Sequence, residues 1–185
     1  MGSIKTAQSA NDPRMLLSAR AYRSTFLRPA TALLLTSGTA YGIFIGRMPT
    51  AQIWDYVGLV VTVAGAGAQT AEVGFFSSPD QPNNANQTLT KLGATGTIGA
   101  LTATGIIKNT AALACSVPAA TYLWAVFRVA MATTQPTVVA LGNDFASGNI
   151  LTLAGASALT SITTIAGVVP TDAGGSLAPD LTVMR

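Results

Sequence analysis

Histidine is missing from the 185 residues altogether, cysteine occurs once, and only 9% of the chain is charged. Without histidine there is no Ser-His-Asp or Cys-His pairing of nucleophile and base. With a single thiol in addition, the usual zinc ligand sets are excluded. A lone cysteine cannot build an intramolecular disulfide framework. Cys115 lies in the apolar run Ala111 to Val117 and reads as a small buried hydrophobe rather than a reactive thiol. The seven acids are scattered. A glycosidase-like carboxylate pair would have to come from Asp55, Glu72, Asp80 or Asp144, and nothing in their spacing brings two together. Glu72 falls on the solvent face of an alternating segment and Asp80 in a turn. No catalytic residue, cofactor or metal ion is expected, and hence no enzyme.

Other shortages bear on surroundings. The longest apolar stretch, Val57 to Ala68, is broken by Thr62 and ends in Gly65 and Gly67, well short of the ~20 residues a spanning helix needs. Aromatics make up 6%, too few for the girdles of an outer-membrane barrel, so no membrane is expected as a partner. The first 14 residues are polar where a secretory leader would carry its apolar core, and no leader is expected. A typical soluble domain is about 25% charged. A chain this poor in charge is expected to cover much of its surface with protein, as an obligate oligomer or packed lattice does.

What the chain does contain is period-two alternation. Tyr41, Ile43 and Ile45 alternate with Gly42, Phe44 and Gly46. Val57, Leu59, Val61 and Val63 share one face. Ala71, Val73 and Phe75 alternate with Glu72, Gly74 and Phe76, and Leu123, Ala125, Phe127 and Val129 with their neighbours. Such runs, rich in β-branched and aromatic residues, predict strands with one face in a core. Turn-formers separate them: Gly65–Gly67, the Pro/Asn stretch from Ser77 to Asn84, Gly142-Asn143-Asp144 and Gly148-Asn149. Gly93, Gly96 and Gly99 lack the Lys-Ser/Thr of a phosphate loop and read as turns. Asn143, Asp144 and Asn149 offer oxygen ligands but too few carboxylates for a calcium site. The Ala/Thr-rich region 100–120 leaves room for one or two strands, around Gly105–Lys108 and Ala111–Ser116. No sustained amphipathic helix is seen. The pattern predicts an all-β, jelly-roll-like antiparallel β-sandwich over 21–168. A basic N-terminal arm (1–20) precedes it and an extended C-terminal tail (169–185), marked by Pro170, Gly174, Gly175 and Pro179, follows.

Basicity belongs to one end. Residues 1–28 hold five basic groups and one acid, while the rest hold five basic and six acidic groups. Arg14, Arg20, Arg23 and Arg28 are the candidate docking residues, since guanidinium groups pair bidentately with carboxylates on a protein partner. Simple solvation is the plain alternative. The patch is too thin, with only Tyr22 and Phe26 interleaved, to expect nucleic acid. Trp54 and Trp124 sit at the edges of apolar strands and suit a core or inter-subunit contact better than sugar stacking.

Four segments, in order, resemble the jelly-roll domain of tailed-bacteriophage virion proteins such as capsid decoration proteins, head fibres and tail-fibre tips. They are Thr39-Ala40-Tyr41-Gly42-Ile43-Phe44-Ile45; Trp54 to Val63 with its small-residue turn Ala64–Gly67; Ala71-Glu72-Val73-Gly74-Phe75-Phe76-Ser77-Ser78-Pro79-Asp80; and Tyr122-Leu123-Trp124-Ala125-Val126. The likeness spans about residues 22–145, with a long Ala/Thr-rich middle and no acid cluster as departures. It implies a virion location and a homotrimer. The expected function is that of a non-enzymatic capsid decoration (cement) or short head-fibre protein, docked through its arm on the major capsid protein or another virion protein. The alternative is a tail-fibre or tail-tip protein that binds a host surface glycan.

Overall fold

A computed structural model describes residues 21–22, 28–80, 87–142, 150–168 and 177–184. In chain order its strands are β1 (Ala21–Tyr22), β2 (Arg28–Leu34), β3 (Thr39–Arg47), β4 (Gln52–Trp54), β5 (Tyr56–Val63), β6 (Gln69–Ser78), β7 (Gln87–Lys91), β8 (Gly96–Thr97), β9 (Gly105–Lys108), β10 (Cys115–Val117), β11 (Tyr122–Met131), β12 (Thr137–Gly142), β13 (Ile150–Leu153), β14 (Thr164–Val168), β15 (Leu177–Pro179) and β16 (Thr182–Met184). Among the described residues there is no helix, and so none long and apolar enough to cross a membrane. The chain is all-β, and every strand pairing is antiparallel.

Two seven-stranded sheets form a sandwich. Sheet I runs β2-β12-β5-β9 at its centre, and sheet II runs β3-β11-β6-β7. Of the seven steps along these eight strands, only β6 to β7 stays within a sheet; each other step crosses to the opposite one. The inward faces meet in one core. Sheet II supplies Tyr41, Ile43, Val73, Phe75, Leu123 and Phe127, and sheet I supplies Val57, Leu59, Val61 and Val138. A short ribbon of β4 and β10 closes one end and adds Trp54, Cys115 and Val117. The Ala/Thr-rich region, with room for one or two strands, holds two: β9 falls at Gly105–Lys108 as expected, while β10 is confined to Cys115–Val117, at the end of the expected Ala111–Ser116.

Three features depart from the sequence reading. First, sheet II is buried on both faces. Phe44, Phe76, Trp124 and Val126 point away from the central core into a second one, where Leu151, Ala156, Leu159 and Ile165 cover them. Within 150–168, β13 beside β3 and β14 beside β7 extend sheet II at its two edges, and the stretch between them lies over its outer face. Second, Val63 does not share the face of Val57, Leu59 and Val61. Register slips by one residue at Thr62, so that Val61 opposes Val138 while Val63 opposes Thr137. This bulge leaves Val63 58% exposed.

Third, residues 177–184 of the stretch read as an extended tail belong to the sandwich. β12 pairs with β2 along one edge, and its other edge is shared by β5 near Thr137 and by β15 from Ala140 to Gly142. β5 in turn pairs with β16 below the point where β12 leaves it. β5 and β12 splay apart, and β15 and β16 fill the wedge between them, burying Ala178, Leu181 and Val183. β1 then pairs along β16. Pro179 is tolerated because β15 has a ladder partner on one side only. The arm, residues 1–20, lies outside the described residues.

Candidate docking surface

The residues whose types could have carried chemistry are mostly committed to the fold. Trp54 and Trp124 are 3% and 0% exposed, so neither offers a ring face to a sugar. The indole N–H of Trp124 donates to Ser78 Oγ at 3.0 Å. Asp55 sits between β4 and β5 and its Oδ1 accepts from the Ala114 N–H at 3.1 Å. Asp80 lies at an exposed bend after β6, as expected. Among the described residues no group of three His, Cys, Asp or Glu side chains converges as metal ligands would. Asn143, Asp144 and Asn149 lie outside the described residues. Gly93, Gly96 and Gly99 flank packed side chains rather than a ligand space; a Cβ on Gly96 would stand 2.6 Å from Leu113 Cδ2.

Glu72 is not on a solvent face. It is 6% exposed, because the outer face of sheet II carries the covering layer. Its Oε2 accepts the Leu159 N–H at 2.7 Å and stands 3.9 Å from Arg128 Nη1. Arg128 Nε donates to the Ala156 carbonyl at 2.8 Å, and Lys91 Nζ donates to the Leu159 carbonyl at 3.0 Å. These side chains fasten the loop 156–160 onto the sheet. Removing one member of such a buried pair leaves an uncompensated charge. Arg128→Leu is expected to cost about 3 kcal/mol in urea unfolding, with Glu72→Leu/Arg128→Leu regaining part of it. A double variant less stable than either single one would contradict this.

Cys115 is 1% exposed, as a buried hydrophobe should be. Burial pushes its thiol up from the ordinary 9.0 to about 11. The unfolded chain releases this proton between pH 9 and 11 while the native chain keeps it, so stability falls over that window and is unaffected below it. Wild type should lose about 2 kcal/mol more than Cys115→Ala between pH 8 and pH 11. Parallel losses would show that the thiol is not the cause.

Of the four docking arginines, Arg14, Arg20 and Arg23 lie outside the described residues. Arg28 opens β2, its backbone paired with Gly142 at the outer edge of sheet I, so it belongs to the sandwich and not to a free arm. β1 places the chain just after residue 20 beside Met184. The face next to it was not singled out from the sequence. Val57, Leu59 and Val61 point inward, hence Tyr56, Gly58, Val60 and Thr62 point outward. Register sets Ile106 opposite Val60 and Lys108 opposite Gly58, and Leu34 and Val63 on either side of Thr137. Lys108 Nζ stands 4.0 Å from the centre of the Tyr56 ring, a cation–π contact. No match to this chain is found among protein-family models, curated proteins or solved structures.

Proposed function

We propose that this chain is a non-enzymatic virion protein of a tailed bacteriophage, a capsid decoration or short head-fibre protein, and that its sandwich is a jelly roll. The observation that carries the reading is strand order. Four strands in the order β2-β12-β5-β9 face four in the order β3-β11-β6-β7, and the chain crosses between the sheets at every step but the central one. This order supports a jelly roll, the double-sheet arrangement found in viral capsid and lectin domains. Fold does not fix function. The low charge of the chain, its basic N-terminal end and the likeness of its strand motifs to virion proteins add the rest. In this reading the arm docks on the capsid through Arg14, Arg20 and Arg23 with Arg28 at its root, and the protein assembles with itself as a homotrimer. A glycan-binding tail protein is the weaker reading, since both tryptophans are buried.

Purified protein is to be mixed with expanded, undecorated capsids of such a phage and imaged by electron cryo-microscopy. Density at regular lattice positions is expected. Deleting residues 1–20 should abolish it. Converting Arg14, Arg20, Arg23 and Arg28 to Gln should weaken attachment most at low salt, where charge screening is least. Bare capsids beside folded protein would overturn the reading. Attachment that survives loss of all four charges would remove the electrostatic arm from it.

A further inference from the structure

We propose that the outer face of sheet I is covered by a second copy of this chain. The inference rests on the self-assembly part of the reading above and names a surface for it; the contact is a twofold pair, which joins trimers to one another rather than building one. Four large hydrophobic side chains are exposed among the described residues, and three share this face: Ile106 at 79%, Leu34 at 62% and Val63 at 58%. The registers that align them across β2, β12, β5 and β9, with Val60 beside Ile106, make them one patch. The bulge at Thr62 is what turns Val63 into it. The corresponding face of sheet II is sealed by the chain's own segment 150–168. Among the described residues no such layer lies over sheet I. Contiguous apolar patches of this kind are rare on monomers and mark interaction sites.

Two properties choose a second copy as the occupant. The first is charge. Lys108 is the one ionisable cation on the described part of this face, and its ammonium is already placed over the Tyr56 ring. An acidic or basic partner would find nothing to pair with, whereas a neutral apolar face is complementary to itself across a twofold axis. The second is shape and size. Sheets pack face to face at about 10 Å with strands nearly aligned. At about 4.8 Å between strands and 3.3 Å per residue, the seven strands of sheet I offer roughly 500 Å². Stable interfaces bury about 800 Å² per partner and transient ones less. Self-association in the micromolar range is therefore expected.

Sedimentation velocity of the full chain from about 1 to 200 μM tests this, spanning the affinity that an interface of this size supports. Reversible, concentration-dependent assembly is expected. Ile106→Lys and Leu34→Lys should each weaken it at least tenfold, roughly 1.4 kcal/mol, without changing thermal stability or the near-ultraviolet spectrum. Ile53→Lys, at an exposed apolar side chain in the β4–β10 ribbon, should leave it unchanged. A monomer throughout the range overturns the proposal, as does assembly indifferent to Ile106 and Leu34 or equally sensitive to Ile53. A monomer that still decorates capsids would leave the capsid reading intact. An oligomer that ignores capsids would do the reverse.

Discussion

A chain ending at Ser176 is expected to lose the native sandwich. The truncation removes β15 and β16 together with buried Ala178, Leu181 and Val183. A fully buried Leu or Val is worth about 2 kcal/mol. The loss also uncovers inward residues of β5 and β12 along the wedge, so the total exceeds about 5 kcal/mol, against 5–15 kcal/mol for a whole domain. Far-ultraviolet circular dichroism and urea unfolding measure it. A cooperative transition with midpoint and slope near those of the full chain would mean that β5 and β12 close on each other without the wedge.

Trp124→Ala comes next in size. The ring is fully buried in the outer core of sheet II, its centre 5.4 Å from that of Phe44, and its N–H is held by Ser78. Truncating a buried Trp to Ala typically costs 3–5 kcal/mol. The site also predicts where the damage falls. The central core touches sheet II from the opposite face, so the segment 150–168 should loosen first. Limited proteolysis between residues 154 and 163 should accelerate more than it does in Phe75→Ala, a variant of the central core. Equal acceleration in both would show that the two cores unfold as one unit.

The strands that were legible are the long ones. β3, β5, β6 and β11 run for eight to ten residues, enough for alternation to declare itself. β15 and β16 have three residues each, too few to show a period, and the glycines and prolines around them read as a tail. Alternation also says that a face is apolar without saying how many faces are covered. In β6 and β11 both parities are apolar, Phe75 beside Phe76 and Leu123 beside Trp124, which is the mark of a strand buried on both sides. Glu72 was misplaced for the same reason: its parity is that of Phe76, and that parity is inside. The slip at Thr62 has no signature in the local sequence, because a bulge is a property of two strands. The apolar patch on sheet I depends on it and was hidden with it.

The pairing of β1 with β16 has a mechanical consequence. Ala21 lies opposite Met184, and Tyr22 opposite Val183, so the outermost pair of this ribbon joins the two ends of the described chain. Tension applied between those ends pulls across the ribbon and loads one pair at a time, starting at Ala21 and Met184. Such a clasp opens like a zipper, at low force. Tension on the N-terminal side alone, with the body held elsewhere, draws β1 along its partner and loads both pairs together. An attachment that pulls on the N-terminal side alone would meet a firmer joint than an instrument that stretches the chain by both ends.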